Sequence, residues 1–270
     1  MEELKNKVVW ITGASSGIGE SIAKECARKG CRLVLSARRK DQLDRVAAET
    51  GLASEDVLVI PMDMEKHEKF NDIATEALGK FGRIDYLFCN AGVSSRALAA
   101  ETPIAIDKKM MDINYMGHIA HVKAVLPSMI ENKKGHIIVT SSVTGKFGTP
   151  LRSAYAAAKH ALIGFFDSLR EELYPHNIKV TMLIPGYIHT DVSVNALTSS
   201  GEKFNRMSRF QASGMDPDVF ARKALKAVLK GKREAKYGGY EMLGIYLHKF
   251  FPGLFYRKIR NMQSKNTFES

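Results

Sequence analysis

Short apolar runs alternate with segments of helical periodicity along the first 185 residues. After the first run, Ile18, Ile22 and Cys26 recur with helical spacing until Gly30, which suits a C-terminal cap. Six runs read as strands, at residues 7–11, 32–36, 57–60, 84–89, 136–141 and 179–184. Six strand-then-helix alternations predict an α/β fold with a doubly wound parallel sheet.

The pattern changes after the sixth strand. Residues 192–215 are polar and resemble a mobile lid rather than a domain boundary. Asp216 suits the N-cap of a following helix and Pro217 its first position, and the helix should end near Gly231. We therefore predict a single domain at 1–240, with the lid at about 192–215, and a C-terminal extension at 241–270.

Composition agrees with one large domain. The chain has 270 residues and 45% hydrophobic content. Its start lacks the apolar run of a signal peptide, and no stretch of about 18 uncharged apolar residues occurs. Cys26, Cys31 and Cys89 show no CxxC spacing, which indicates reduced thiols, with Cys26 in the core. These features predict a cytoplasmic protein.

The net charge of +11 is concentrated at the C-terminal end. Residues 221–270 hold 12 Lys and Arg against 3 Asp and Glu. No nucleic-acid-reading module accompanies this charge, so nucleic acid is not a predicted partner. His118 and His121 share a helix face without an acidic or thiol neighbour, which indicates packing and no metal site.

A glycine-rich turn joins the first strand to the first helix, at residues 12–19. Glycines let a backbone approach a pyrophosphate, and a helix N-terminus presents free N–H groups. The spacing is G-x-x-x-G-x-G, so an ordinary tight turn is the alternative. With strand and helix on both sides, we predict a Rossmann-like dinucleotide site that includes Gly13, Ser15, Ser16, Gly17, Ile18 and Gly19.

The end of the second strand indicates which dinucleotide binds. An NAD site typically carries Asp or Glu there, whereas this chain has Arg38 and Arg39 followed by Lys40. Arginine binds a 2′-phosphate that a carboxylate would repel, so we predict NADP(H). A solvated basic helix start remains an alternative for Arg39 and Lys40. Asp63 could accept a hydrogen bond from the adenine amino group or cap the next helix.

Tyr155 and Lys159 are four residues apart in an alanine-rich segment. In a helix they share one face, and a neighbouring ammonium should lower the tyrosine pKa towards neutrality. Tyr155 is thus a candidate general acid and base. The alternative is that the two side chains simply form a solvated helical face. The other motifs in the chain decide between a catalytic pair and such a face.

In order and spacing, the motifs resemble those of the short-chain dehydrogenase/reductase family over roughly residues 5–240. They are the glycine turn, Asn90-Ala91-Gly92, Asn114, Ser142, Tyr155-x-x-x-Lys159 and Pro185-Gly186. The resemblance implies that Tyr155 protonates a carbonyl oxygen, Lys159 lowers the tyrosine pKa and holds the nicotinamide ribose, Ser142 orients the carbonyl and Asn114 fixes a water. It also implies a homodimer or homotetramer. The chain departs from the family's commonest pattern at Thr144, where alanine often precedes the glycine, and at Ala158, where serine is frequent.

The resemblance completes the set of predicted site residues. Further cofactor contacts are expected at Asn90, Ala91, Gly92, Tyr155, Lys159, Pro185, Gly186, Ile188 and Thr190. Substrate contacts are expected at Ser142, Thr144, Phe147, Tyr155 and Tyr187. The expected activity is NADP(H)-dependent hydride transfer to or from an apolar ketone, aldehyde or secondary alcohol. A non-catalytic dinucleotide-binding sensor or membrane scaffold is the competing hypothesis.

The extension after residue 240 is rich in aromatic and basic residues, broken by Pro252 and Gly253. Three roles remain open: an anchor on an anionic membrane surface, a cover over the substrate pocket, or a segment packed on its own domain. The extension resembles that of the family branch with membrane-associated steroid and retinoid reductases. An apolar substrate and a possible peripheral membrane location follow from that resemblance.

Overall fold

The computed structural model of this chain describes residues 4–264, with side chains to residue 262. Residues 1–3 of the predicted domain and 265–270 of the predicted extension lie outside this part. Seven parallel strands form one sheet in the order β3-β2-β1-β4-β5-β6-β7. The strands are β1 (Val8–Thr12), β2 (Arg32–Ala37), β3 (Val57–Pro61), β4 (Tyr86–Cys89), β5 (Gly135–Thr140), β6 (Ile178–Pro185) and β7 (Glu234–Tyr237).

Helices cover both faces of the sheet, as a parallel sheet requires. They are α1 (Gly17–Arg28), α2 (Lys40–Thr50), α3 (Phe70–Phe81), α4 (Ile104–Met111), α5 (Gly117–Glu131), α6 (Ser153–Glu172), α7 (Arg209–Ala212), α8 (Pro217–Leu229), α9 (Met242–Phe250) and α10 (Pro252–Ser264). The doubly wound α/β prediction is confirmed. Asp216 caps α8 as predicted, with its Oδ1 accepting from two backbone N–H groups at 2.9 and 3.0 Å.

Alternate residues of β1 enter two separate cores, because successive strand side chains point to opposite faces. Val8 and Trp10 join the layer beneath α3, α5 and α6, whereas Val9 and Ile11 join the layer beneath α1 and α8. All five β1 residues are buried. The strand that ends in the glycine turn is therefore anchored on both sides.

The sequence pattern missed β7, since only six strands were predicted. β7 has four residues, and only Ala235 among them is buried. Its partner is β6, with Ala235 in register with Leu183. A short, charged strand at the sheet edge lacks the apolar run by which a strand is recognised.

Two buried groups confirm packing predictions. His121 lies 4.4 Å from the Trp10 ring, centroid to centroid, and burial lowers the pKa of His121 to about 3. Cys26 is completely buried. Both side chains belong to the core rather than to a surface.

Candidate active site

A cavity of about 1060 Å³ opens beyond the carboxyl ends of the strands, where the strand order reverses between β1 and β4. This is where open α/β sheets bind ligands. All predicted site residues except Gly19 line it: Gly13, Ser15, Ser16, Gly17, Ile18, Arg38, Arg39, Asp63, Asn90, Ala91, Gly92, Asn114, Ser142, Thr144, Phe147, Tyr155, Lys159, Pro185, Gly186, Tyr187, Ile188 and Thr190. One cavity thus collects residues from six strand ends.

The glycine turn has the shape of a cradle for a dinucleotide. Gly13 and Gly17 have positive φ angles of 67° and 57°, which side chains rarely tolerate. A Cβ on Gly19 would overlap the carbonyl oxygen of Gly13, and one on Gly13 would come within 2.9 Å of the Ala91 Cα. Gly19 therefore supports the turn from below instead of lining the cavity. The residues present fit a pyrophosphate held against the N-terminus of α1.

Thr12 ties this turn to the end of β4. Its hydroxyl accepts from the backbone N–H groups of Asn90 and Ala91 at 3.0 and 3.1 Å. It also donates to the carbonyl oxygen of Phe88 at 3.2 Å. The two segments predicted to contact the cofactor are therefore one rigid unit.

Two cations stand at the end of β2. Arg38 and Arg39 are exposed, and neither forms an ion pair with a carboxylate in the part of the chain described. The next basic residue, Lys40, pairs with Asp44 at 2.7 Å. Asp63 accepts from the backbone N–H of Glu65 at 3.2 Å, so it closes a turn while also facing the cavity.

Ser142 has a defined hydrogen-bonding state. Its Oγ accepts from the backbone N–H of Thr144 at 3.2 Å and from the Thr144 hydroxyl at 3.0 Å. A hydroxyl has two acceptor lone pairs and one proton. Because Thr144 occupies both lone pairs, the Ser142 hydroxyl is left to act as a donor.

Lys159 is buried, with 3% exposure, one helical turn after Tyr155 in α6. Its Nζ donates to the carbonyl oxygen of Thr140 at 2.9 Å and lies 5.7 Å from the Tyr155 ring centroid. Burial lowers the pKa of Lys159 from 10.5 to about 8. The lysine is thus held beneath the cavity by the last residue of β5.

Tyr155 differs from the sequence expectation in one respect. Burial raises the pKa of its phenol above the ordinary value of 10, while the Arg152 guanidinium and the Ser142 hydroxyl act in the opposite direction. The prediction that Lys159 brings this pKa towards neutrality is wrong for this structure, because desolvation outweighs the neighbouring charges. The phenol is accordingly protonated at neutral pH.

Asn114 lies in a π-helical segment, Asp112–Met116, between α4 and α5. Its Oδ1 accepts from the backbone N–H of Val93 at 3.1 Å and its Nδ2 donates to the carbonyl oxygen of Met110 at 3.0 Å. A Cβ on Gly92 would come within 2.7 Å of the Asn114 Oδ1 and 3.7 Å of the Lys159 Nζ. These three residues therefore converge at one point, where π-helical turns often mark functional sites.

The predicted lid lies over the same cavity. The backbone N–H of Leu197 donates to the carbonyl oxygen of Ser94 at 2.9 Å, and that of Arg96 donates to the carbonyl oxygen of Leu197 at 2.8 Å. Lys203, Phe210 and Gln211 also line the cavity. Ser94 and Arg96 follow β4 and were not predicted as site residues, because no motif includes them.

The extension packs on its own domain and forms a wall of the cavity. Phe255 is buried against Phe147, with ring centroids 4.7 Å apart. Glu241 accepts at Oε1 from the backbone N–H groups of Tyr187 and Gly239 at 2.8 and 2.9 Å. The cavity wall from this extension includes Leu243, Gly244, Leu247, Phe250, Phe251 and Phe255. A cover over the substrate pocket was one of the three roles that the sequence allowed for the extension.

The extension also exposes apolar and basic side chains, among them Leu243, Phe250 and Phe251, which line the cavity as well. Leu243, Phe250, Phe251 and Leu254 are 58–70% exposed. Lys249, Arg257, Lys258 and Arg260 are exposed beside them. No helix formed by residues 4–264 is long and apolar enough to cross a membrane.

The family model for short chain dehydrogenases matches residues 7–200. A mouse protein, dehydrogenase/reductase SDR family member 7B, is 40% identical over 259 residues, which cover 94% of this chain and 80% of the mouse protein. The chain belongs to the short-chain dehydrogenase family. As a member it is an oxidoreductase of the class that works with a nicotinamide cofactor.

Solved structures agree on the fold. A Burkholderia phymatum short chain dehydrogenase/reductase in complex with NAD superimposes with a TM-score of 0.84 at 24% identity, over 94% of this chain and 96% of that one. An alcohol dehydrogenase from the archaeon Thermococcus sibiricus, complexed with 5-hydroxy-NADP, gives a TM-score of 0.72 at 26% identity, over 88% and 98%. The Rossmann-like fold is therefore shared across the whole domain.

Proposed function

We propose that this protein is an NADP(H)-dependent carbonyl reductase or alcohol dehydrogenase with Tyr155 as the general acid and base. The observation that carries the proposal is the donor-only state of Ser142 in the cavity that Tyr155 also lines. Two hydroxyl donors that converge on one point stabilise the negative charge that grows on a carbonyl oxygen. When bound, the nicotinamide supplies the hydride to the carbonyl carbon.

The residues of the chain handle the proton and the orientation. Ser142 donates to the carbonyl oxygen and aligns it, and Tyr155 transfers its phenolic proton to that oxygen. The phenol carries its proton at neutral pH, as a general acid for reduction must. Lys159 and Asn114, which both lie beside Gly92, return a proton from solvent by way of an ordered water.

Preference for NADP(H) is part of the proposal. Arg38 and Arg39 offer two guanidinium groups at the end of β2, where a 2′-phosphate would lie. Neither forms an ion pair with a described carboxylate, in contrast to Lys40, although Arg39 helps to lower the pKa of Asp41. The complex of the Thermococcus sibiricus alcohol dehydrogenase with 5-hydroxy-NADP is consistent with this choice.

The proposed substrate is an apolar ketone, aldehyde or secondary alcohol. Phe147, Tyr187 and the extension give the cavity aromatic and aliphatic walls near Tyr155. The cofactor is proposed to lie against Gly13, Ser15 to Gly17, Ile18, Asn90 to Gly92, Pro185, Gly186, Ile188 and Thr190. Asp63 is proposed to bind its adenine. Thr144 acts on the substrate through Ser142.

We also propose that the protein faces the cytosol and binds peripherally to an anionic membrane surface. Exposed apolar side chains of α9 and α10 beside four cations fit the interface of such a surface. Assembly as a homodimer or homotetramer through α5 and α6 is proposed from family resemblance.

The experiment that tests the chemistry measures NADPH and NADH oxidation with a panel of ketones. Tyr155→Phe should reduce kcat by roughly 100-fold or more, because general-acid catalysis contributes about that factor. Titration of NADPH fluorescence serves as the control and should show unchanged cofactor affinity within a few-fold. Turnover equal to that of the unmodified protein would refute the role of Tyr155, and cofactor binding without turnover on any ketone would favour a sensor.

A further inference from the structure

Arg152 is fixed at the edge of the cavity, three residues before Tyr155. The preceding residue, Leu151, has a positive φ of 65°, which is uncommon for a residue with a side chain. The carbonyl oxygen of Leu151 accepts from the backbone N–H of Ala97 at 3.1 Å, and that of Arg152 accepts from Ala156 at 2.7 Å. The backbone is therefore held from both sides in a conformation that turns into α6.

The side chain of Arg152 is held as well. Its Nη1 donates to the Oγ of Ser94, a residue that is 1% exposed. Arg152 itself is half-buried and lines the cavity. A guanidinium has five N–H donors. Within the described part of the chain, Ser94 is its hydrogen-bond partner, so donors remain for a further group.

The charge of Arg152 acts on two phenols of the cavity. It lowers the pKa values of Tyr155 and Tyr187 against the opposing effect of burial. Residues 4–262 provide no carboxylate that pairs with it. Glu241 also acts on Tyr187, but its Oε1 is held by the backbone N–H groups of Tyr187 and Gly239.

Arg152 lines the cavity, and the donors that Ser94 leaves unused are available to an anionic group. Guanidinium groups bind carboxylates and phosphates in a bidentate manner, with geometric specificity. Arg152 is the N-cap residue of α6, and its guanidinium lies near enough to the Tyr155 phenol to lower the pKa of that phenol. An anionic group at Arg152 would therefore lie within a few bonds of a carbonyl oxygen at Tyr155.

We propose that Arg152 is a specificity-determining residue that binds an acidic head group, carboxylate or phosphate, near the reacting carbonyl of an otherwise apolar substrate. This inference rests on the proposed carbonyl reduction and narrows its substrate class. The acidic group makes and breaks no bond: hydride from the reduced nicotinamide and the Tyr155 proton convert the carbonyl to an alcohol. The apolar remainder of the substrate lies along Leu247 and Phe251 of the extension.

The test compares three ketones of matched chain length with the full chain and NADPH: 4-oxotridecanoate, 2-oxotridecylphosphonate and neutral 4-tridecanone. Arg152→Gln should lower kcat/KM for one or both acidic ketones by about tenfold or more, mainly through KM, since a charged hydrogen bond contributes about 1.5–3 kcal/mol. For 4-tridecanone the change should stay within about threefold. The relative loss on the two acidic ketones distinguishes a carboxylate from a phosphate site.

Two further variants separate binding from other roles of Arg152. Arg152→Lys keeps the charge and should recover part of the preference for acidic ketones, whereas Ser94→Ala keeps the guanidinium and should preserve most of it. Equal losses on acidic and neutral ketones in Arg152→Gln would show that Arg152 only tunes Tyr155 or the fold, and would overturn the inference. Because Arg152 also lowers the pKa of Tyr155, each variant is compared at its own pH optimum, and a loss on acidic ketones that disappears there would do the same.

Binding without turnover keeps this inference separate from the proposed function. Decanoate, decylphosphonate and decanol, below their micelle concentrations, can be titrated calorimetrically into the protein. Arg152-dependent binding of an acid, without reduction of any ketone, would support the anion site and refute the reductase. Reduction of ketones with no preference of the unmodified protein for acids would support the reductase and refute the anion site.

Discussion

The Nζ of Lys159 donates a 2.9 Å hydrogen bond to the carbonyl oxygen of Thr140, and so joins α6 to the end of β5 beneath the cavity. The lysine is only 3% exposed, and burial lowers its pKa from 10.5 to about 8. Below pH 8 the folded and unfolded states both carry the charge, and folding bears the full cost of desolvating it. Between pH 8 and 10.5 the folded state releases the proton first, and the cost is relieved.

Lys159→Met should therefore remove a pH-dependent component of stability. The unmodified protein should gain up to about 3 kcal/mol in free energy of unfolding, relative to the variant, as pH rises from 7.5 to 10.5. Denaturant unfolding of the cofactor-free protein across this range measures the difference. Parallel pH curves for the two proteins would show that the lysine pKa is not displaced.

Replacement of Thr144 should impair catalysis through Ser142. Thr144→Val removes the hydroxyl that donates to the Ser142 Oγ at 3.0 Å and frees a lone pair, so the serine proton loses its fixed direction. We expect kcat to fall by roughly tenfold, the equivalent of one hydrogen bond of about 1–1.5 kcal/mol. Thr144→Ser keeps the hydroxyl and serves as the control. Equal activities of the valine and serine variants would contradict the relationship.

Cofactor choice should depend on Arg38. Arg38→Gln should weaken NADPH binding by roughly 10- to 100-fold, because one charge-assisted contact with the 2′-phosphate is lost, while NADH binding should stay nearly constant. Fluorescence titrations with both cofactors measure this. Lys40→Gln is the matched control, since Lys40 is paired with Asp44. A similar loss for both cofactors in Arg38→Gln would argue against the NADP(H) assignment.

The glycine turn should not tolerate a side chain at Gly19. Gly19→Ala places a Cβ against the Gly13 carbonyl and should weaken NADPH binding by at least about tenfold, with a loss of stability of several kcal/mol. Gly79→Ala in α3 is the control, because its Cβ meets nothing within 4 Å. That variant should be neutral or stabilised by up to about 1 kcal/mol. Thermal unfolding and NADPH titration measure both variants. A Gly79→Ala protein that is less stable or binds NADPH more weakly than Gly19→Ala would contradict the prediction.

Membrane attachment should depend on the cations of α10. Replacement of Arg257, Lys258 and Arg260 by Glu should abolish co-sedimentation with phosphatidylserine-containing liposomes, since each basic residue near an anionic surface contributes about 1 kcal/mol. The same replacement of exposed Arg222, Lys223 and Lys226 in α8 changes the net charge equally and should leave binding nearly intact. Equal loss in both variants would indicate non-specific charge attraction. Recovery of the unmodified protein in the supernatant would exclude the attachment.

Much of this molecule could be predicted because its signals are local. Buried parallel strands require continuous apolar runs, so six of the seven were found, and the glycine turn combines its own backbone demands with adjacent strand and helix signals. β7 was missed because four residues at a sheet edge need no apolar pattern. Tyr155 and Lys159 could be placed on one face because helical geometry fixes their spacing.

The sequence by itself determined the doubly wound fold, the glycine turn and the positions of the residues proposed to carry the proton, since each depends on spacing within a segment. The tertiary structure decided what depends on burial and distant contacts. It showed that Thr144 leaves Ser142 only a donor, that desolvation raises the pKa of Tyr155, and that Glu241 anchors the extension against the cavity. It also brought Ser94 to Arg152, 58 residues apart, because packing free energy and not sequence distance decides which side chains meet.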